Sequence, residues 1–337
     1  MTLKNVNFGV VENFNIIKGL IYGGVLMLVG GCSNGSAKTP AMQTDNSDTA
    51  VCAPFDADSA YAYVARQVAF GPRVPGSESH AQCARYLADQ LARFGADTVI
   101  EQTAELPEIG KIHNIMGRYS VHNPARVLLL AHWDTRPWAD EDPDPENHSR
   151  PIDGANDGGS GVGVLLELSR QFGMKRPDIG VDILFVDAED SGNSGDDNSW
   201  ALGTQYFTSN LPYGESGPYP AYAILLDMVG GRDAVFAREM FSDHNVPSLV
   251  NHVWSAAARA GHGDRFVNRT GVAVNDDHLH LLRAGIPAID IIECANPVTG
   301  AFNPTWHTMS DNIDNIDTAS LRAAGETVSY LIYSEKL

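Results

Sequence analysis

Apolar positions along the chain fall into two kinds of run. "DSAYAYVARQVAF" and "SHAQCARYLADQLARFG" carry apolar residues at helical spacing, and each predicts an amphipathic helix, the second closed by Gly95. "ARVLLLAHWD", "GVDILFVDAED", "YAILLDMVGG" and "IPAIDIIECAN" are continuous apolar runs of strand length, the pattern of strands buried on both faces. Between the first two, "GGSGVGVLLELSRQFG" reads as a glycine-rich turn feeding a helix. The final "TASLRAAGETVSYLIYSEKL" reads as an amphipathic helix capped by Thr318. Strand and helix alternate, which predicts an α/β fold: a three-layer α/β/α sandwich around a mostly parallel central sheet.

The N-terminus breaks this pattern. In "KGLIYGGVLMLVGGCSNGS" a lysine precedes a short apolar stretch from Leu20 to Val29, then small residues lead to Cys32. That stretch is shorter than the roughly 20 residues of a membrane-spanning helix, and it reads as a signal peptide. "LVGGC" resembles a bacterial lipobox, in which cleavage leaves a lipid-modified Cys32. Residues 1–31 are therefore expected to be a lipoprotein signal peptide, 32–50 a polar tether, and 51–337 the domain that carries the chemistry. The expected address is outside the cytoplasm of a Gram-negative bacterium, facing the periplasm or on the outer membrane. Membrane contact would come only through the lipid on Cys32.

Charge and cysteine content narrow the possibilities. A net charge of −19 argues against nucleic acid, whose phosphates need clustered Lys and Arg. Cys52, Cys83 and Cys294 allow at most one intramolecular disulfide and give no sign of a thiolate metal site. With 337 residues the chain has room for one large domain or two ordinary ones, and neither a repeat nor an interdomain linker interrupts it after about Ala50.

In a parallel sheet the site lies beyond the carboxyl ends of the strands. His132 with Asp134, Glu189 with Asp190, and Asp227 each follow an apolar run, and Asp157 sits at a helix start. Singly, each has a plainer reading: Asp157 as the N-cap of that helix, His132 as a core histidine, Asp227 as a turn acid. Brought together with Asp277 and His307, so many carboxylates cannot all stay ionised without a cation. Imidazoles and carboxylates without thiolates suit Zn²⁺ or a similar divalent ion. Glu189 and Asp190 leave the strand as extended neighbours, so one can face a metal and the other a substrate. Asp187 reads as an acid bracing the loop. The acidic loop Ala139 to His148 reads as a solvated insertion rather than a Ca²⁺ site, and Trp138 and Trp200 as loop residues near a pocket or on the surface. "GGSGVG" lacks the spacing of a dinucleotide loop, and Ser160 lacks the glycine two positions on that a nucleophile elbow needs.

The ordered segments "AHWD", "GANDGGSG", "VDAED", "LLDMVG", "DDH…GIPAIDI" and "WHTMSDNIDNID" resemble the zinc aminopeptidase-like hydrolase superfamily. Within it, the chain from about Phe55 to Leu337 is similar to the animal-type glutaminyl cyclases and their Gram-negative relatives. The resemblance implies one catalytic Zn²⁺ on Asp157, Asp190 and His307, with Glu189 as general acid/base. It implies that Asp227 and Asp277 form a carboxylate network and that Trp306, Trp133 and Asp276 line the substrate pocket. His132 would bind a second ion or support the first from behind, oriented by Asp134. The implied substrates are peptides and secreted proteins that begin with glutamine, whose γ-amide, polarised by zinc, is closed to pyroglutamate with release of ammonia by an enzyme expected to be a monomer. Two positions depart from the animal pattern: Asp290 replaces a histidine, and Asp190 replaces a glutamate ligand. The rival implied by the superfamily is an aminopeptidase, since His132, Asp157, Asp190, Asp227 and His307 fill all five places of a two-metal enzyme. The doubled acid Asp276–Asp277 and the tryptophan before His307 favour the cyclase.

Overall fold

In the structure, a computed structural model, residues 54–214 and 218–337 are described. The expected signal peptide and tether lie outside those residues. The elements begin with α1 (Ala57–Val68), α2 (Glu78–Arg93), β1 (Thr98–Leu106), β2 (Gly110–Tyr119), β3 (Arg126–His132) and α3 (Gly159–Met174). They continue through β4 (Gly180–Val186), α4 (Leu202–Ser209), β5 (Tyr222–Leu226), β6 (Phe236–Arg238), α5 (Met240–Asn245) and α6 (Pro247–Ala260). Then come β7 (Phe266–Thr270), α7 (Asp277–Arg283), β8 (Ala288–Ile291) and α8 (Thr318–Ser334).

The four apolar runs become β4, β3, β5 and β8, adjacent in that order and parallel throughout. All seven residues of β3 are buried, because the sheet is covered on both faces. Val127, Leu129 and Ala131 pack with Val64 of α1, Leu165 of α3 and Leu331 of α8, whereas Leu128 and Leu130 turn to Phe207 of α4 and Leu281 of α7. That alternation makes the three layers, and each buried leucine contributes about 1.5–3 kcal/mol. Asp182 of β4 is buried in the sheet and neutralised by Arg126 at 2.8 and 2.9 Å and by Arg118 at 3.0 Å.

The sheet is mixed rather than wholly parallel. Strands β1 and β2 form an antiparallel hairpin, and β2 pairs antiparallel with β4 at the edge. Strand β1 is exposed or half-buried along its whole length, so it carries no continuous apolar run to announce it. Strands β6 and β7 form a separate two-stranded sheet. One cap expectation needs correction, and one plainer alternative falls away. Helix α8 is capped by Asp317, whose side chain accepts the N–H of Ala319, and Thr318 is its first turn. Helix α3 starts after Gly158 with no side-chain cap, so Asp157 is not spent on capping. Gly95, at φ 76°, does follow α2 as a left-handed terminator. Cys83 and Cys294 are buried and unpaired. Among the described residues no helix is long and apolar enough to cross a membrane.

Candidate active site and metal centre

The parallel strands deliver the site residues to one end of the sheet. His132 is the last residue of β3, Glu189 and Asp190 follow β4, and Asp227 follows β5. Asp134 is fully buried between them. Its carboxylate accepts the backbone N–H groups of Glu189 at 3.1 Å and Asp190 at 3.2 Å, and lies 3.4 Å from His132 Nδ1. Asp311 does the same for the other side, accepting the N–H groups of Asn156 (2.7 Å) and Asp157 (3.1 Å). Gly158 is required by close approach: a Cβ there would lie 2.2 Å from the carbonyl oxygen of His132 and 2.7 Å from its ring. Three non-glycine residues at the site adopt left-handed backbone, namely Ala188 (φ 51°), Met228 (φ 47°) and His307 (φ 54°).

Asp157 stands between the two histidines. Its Oδ1 is 3.0 Å from His132 Nε2, and its Oδ2 is 3.6 Å from His307 Nε2. Asp190 Oδ1 is 3.1 Å from His307 Nε2, while its buried Oδ2 has no hydrogen-bond partner. Asp227 Oδ1 lies 3.2 Å from His132 Nε2. Two candidate cation groups thus share one acid: Asp157, Asp190 and His307, and His132, Asp157 and Asp227, each with donor atoms within 4.8 Å. A third such group among the described residues, Asp276, His278 and Asp290, includes the acid that departs from the animal pattern.

A cavity of about 300 Å³ opens on these residues, and Glu189, Asp190, Asp227, Asp276, Trp306 and His307 all line it. Trp306 stacks on His307 with ring centroids 3.8 Å apart, and Phe302 packs on Trp306 at 4.8 Å. Burial, then the neighbouring Asp276 charge, pushes the Glu189 carboxyl well above its ordinary range. Burial and Asp227 push Asp276 up to about 7, and burial and Asp190 push Asp157 up to about 6. Burial opposes a charged His307, yet Asp190 and Asp140 outweigh it and raise the ring to about 9. So much buried negative charge around two imidazoles, with an orphaned Asp190 oxygen among them, fits a divalent cation, and the donor set fits zinc.

Two residues expected at the site, Trp133 in the pocket and Asp277 in the carboxylate network, do not line the cavity. Trp133 is fully buried, donates its indole N–H to the carbonyl of His113 at 3.0 Å, and stacks on His80; it does not line the cavity. Immediately after β3, its side chain is directed behind the site. Asp277 is also fully buried and absent from the cavity wall, because it begins α7, while Asp276 caps that helix and reaches the cavity. Asp187 braces the loop, accepting N–H groups from Ala188 (2.7 Å) and His113 (2.6 Å) and pairing with His80 at 2.8 Å. Trp200 lines the cavity, whereas Trp138 lies against Arg136 outside it. Arg136 and Asp140 were missed: a buried arginine binds Asp140, which approaches His307 Nδ1 at 3.4 Å. The one clue was a single cation in the acidic, tryptophan-flanked "DTRPWAD".

Peptidase family M28 matches residues 114–332, well over half of the chain. The solved structure of the Bacteroides thetaiotaomicron glutaminyl cyclase is similar with a TM-score of 0.81 and 47% identity, covering 85% of this chain and 100% of that one. A Zn-dependent exopeptidase from Parabacteroides distasonis gives a TM-score of 0.80 and 48% identity over 84% of this chain and 100% of its own. The glutaminyl-peptide cyclotransferase of Bos taurus is 23% identical over 284 residues, 74% of each chain. With the family matched across both histidines and every acid that meets at the cavity, the chain belongs to peptidase family M28.

Proposed function

We propose that this protein is a glutaminyl-peptide cyclotransferase, converting an N-terminal glutaminyl residue of a peptide or protein to pyroglutamate with release of ammonia. One observation carries this reading. A small cavity holds two buried acids, Glu189 and Asp276, beside the metal-ligand group and an aromatic wall of Phe302 and Trp306. In cyclisation the two acids divide the work: one takes the proton of the attacking amine and the other holds the amide nitrogen that leaves. Similarity to a bacterial glutaminyl cyclase over that enzyme's whole length supports the same reading.

Asp157, Asp190 and His307 would hold zinc, which supplies Lewis acidity towards an amide carbonyl. Glu189 takes a proton from the substrate α-amine as its nitrogen bonds to the γ-carbonyl carbon. It returns that proton to the amide nitrogen as the C–N bond breaks and ammonia departs. Asp276 accepts hydrogen bonds from the γ-amide N–H₂, a role that Asp277 cannot fill from behind the wall. Asp227 faces His132 and keeps the wall acidic. Phe302 and Trp306 exclude water and hold the chain of the glutamine folded towards its own amine, the geometry that ring closure requires.

A zinc aminopeptidase is the second reading, favoured by the His132, Asp157 and Asp227 group, which offers a place for another ion. Purified enzyme given a Gln-initiated and a Leu-initiated peptide separates the two. Ammonia from the first and no leucine from the second is the expected result; leucine without ammonia would reverse the assignment. Elemental analysis expects one zinc per chain, and two would favour the peptidase.

We further propose that residues 1–31 are a lipoprotein signal peptide and that Cys32 is lipidated, on the strength of "LVGGC" and the polar stretch after it. Expression in a Gram-negative host with labelled palmitate is expected to label the protein, and C32S to abolish the label. The enzyme is proposed to work as a monomer; gel filtration at twice the mass of one chain would contradict this.

A further inference from the structure

The guanidinium of Arg136 touches the loop that carries Asp190 and, through Asp140, reaches the ring of His307. Arg136 is 1% exposed although it belongs to a loop, and its five N–H groups are largely spent on partners of the site. Nη1 donates to the backbone carbonyls of Asp190 (3.0 Å) and Gly192 (2.9 Å). The opposite edge, Nε and Nη2, donates to the two oxygens of Asp140 at 3.0 and 2.6 Å. Asp140 Oδ1 in turn lies 3.4 Å from His307 Nδ1, the ring nitrogen turned away from Asp157 and Asp190. The indoles of Trp138 and Trp200 add cation–π contacts, their ring centroids 4.9 and 4.8 Å from the guanidinium carbon.

We propose that Arg136 is a positioning residue of the metal centre, which fixes the Asp190 loop directly and the His307 ring through Asp140, so that one guanidinium sets the angle between two metal ligands. The physical reason is the fork. Its bidentate edge defines where Asp140 stands, and a carboxylate on the far nitrogen of a ligating imidazole fixes the tautomer and the ring orientation. A lysine would restore the charge but reach only one of these groups at a time. The role rests on the zinc reading of the site and does not depend on which amide the enzyme attacks.

The test is zinc affinity of purified R136K, D140N and the double variant, by competition with a chromophoric chelator, together with the visible spectrum of the Co²⁺-loaded proteins. Melting of each metal-free variant reports folding separately. R136K is expected to bind zinc about 10–100-fold more weakly than the parent, the scale of lost outer partners, with an altered Co²⁺ spectrum. D140N, at a half-exposed position, is expected to lose about tenfold through the His307 arm alone. The double variant should lose less than the product of the two, because Arg136 acts partly through Asp140. If R136K fails to fold, D140N decides. R136K within twofold of the parent and spectrally unchanged would overturn the proposal, as would D140N at parental affinity or a fully multiplicative double variant. A parent enzyme that holds no zinc would remove the metal centre and this role together, whereas tight zinc in parent and variants alike removes only the role of Arg136.

Discussion

Glu189 works as a base only while ionised, and two neighbours decide when that is. Burial raises its pKa first and the Asp276 carboxylate raises it further. Activity carried by this base is therefore lost as pH falls through the raised value. Asp276→Asn removes a negative neighbour, lowers the pKa of Glu189, and is expected to move the acid limb of kcat/KM to lower pH even as the maximum falls. A limb that stays in place would deny the coupling. Glu189→Gln keeps the shape and leaves all three metal donors untouched. Its kcat is expected to drop at least about a hundredfold, the scale of a removed general base, with zinc content unchanged. At this scale the sequence was informative for acids that follow apolar runs and poor for their neighbours. Asp276 and Asp277 are adjacent, and only the turn into α7 determines which one meets the cavity. Trp306 and Trp133 each adjoin a site histidine, yet one forms the wall and the other packs behind it.

Among elements, the start of α3 carries the tightest constraint. Gly158 lets the helix begin against the end of β3, with its N–H donated to His132 Nε2 at 3.1 Å. Gly158→Ala forces the helix off the strand, at a cost of about 1–3 kcal/mol for overpacking. It also displaces Asp157 from both histidines, so kcat is expected to fall about a hundredfold; thermal melting and steady-state rates check the two effects. The four parallel strands were legible because burial on both faces leaves few polar positions to interrupt their apolar runs. The β1–β2 hairpin was not, since a half-exposed edge strand has no such signature. Asp157 read alone resembled a helix cap, and only its place opposite His132 and His307 shows that the helix does without one. The Arg136 fork was hard to read for another reason: Asp140 is four residues on, but its partners at 190 and 192 are joined to it by the fold alone.

For the molecule as a whole, the acids gathered at the sheet end are a cost that zinc offsets. An ion bound by the folded state alone adds stability in proportion to its occupancy, about 4 kcal/mol at a thousand times Kd. Stripping the metal with a chelator is expected to lower Tm, and zinc to restore it; an unchanged Tm would mean that the acids are neutralised by protons instead.

The left-handed turns at Ala188, Met228 and His307 give that loss of metal a local form. Each holds backbone in a conformation worth about 1–3 kcal/mol of strain, kept in place by what surrounds it. The parallel strands behind them are buried on both faces and have no such strain to release. Amide hydrogens around these three turns should therefore exchange with deuterium faster in the metal-free protein, while those of β3 and β4 keep their protection. The ion would then act as the clasp of three sprung joints, and the first motion on its departure would be theirs.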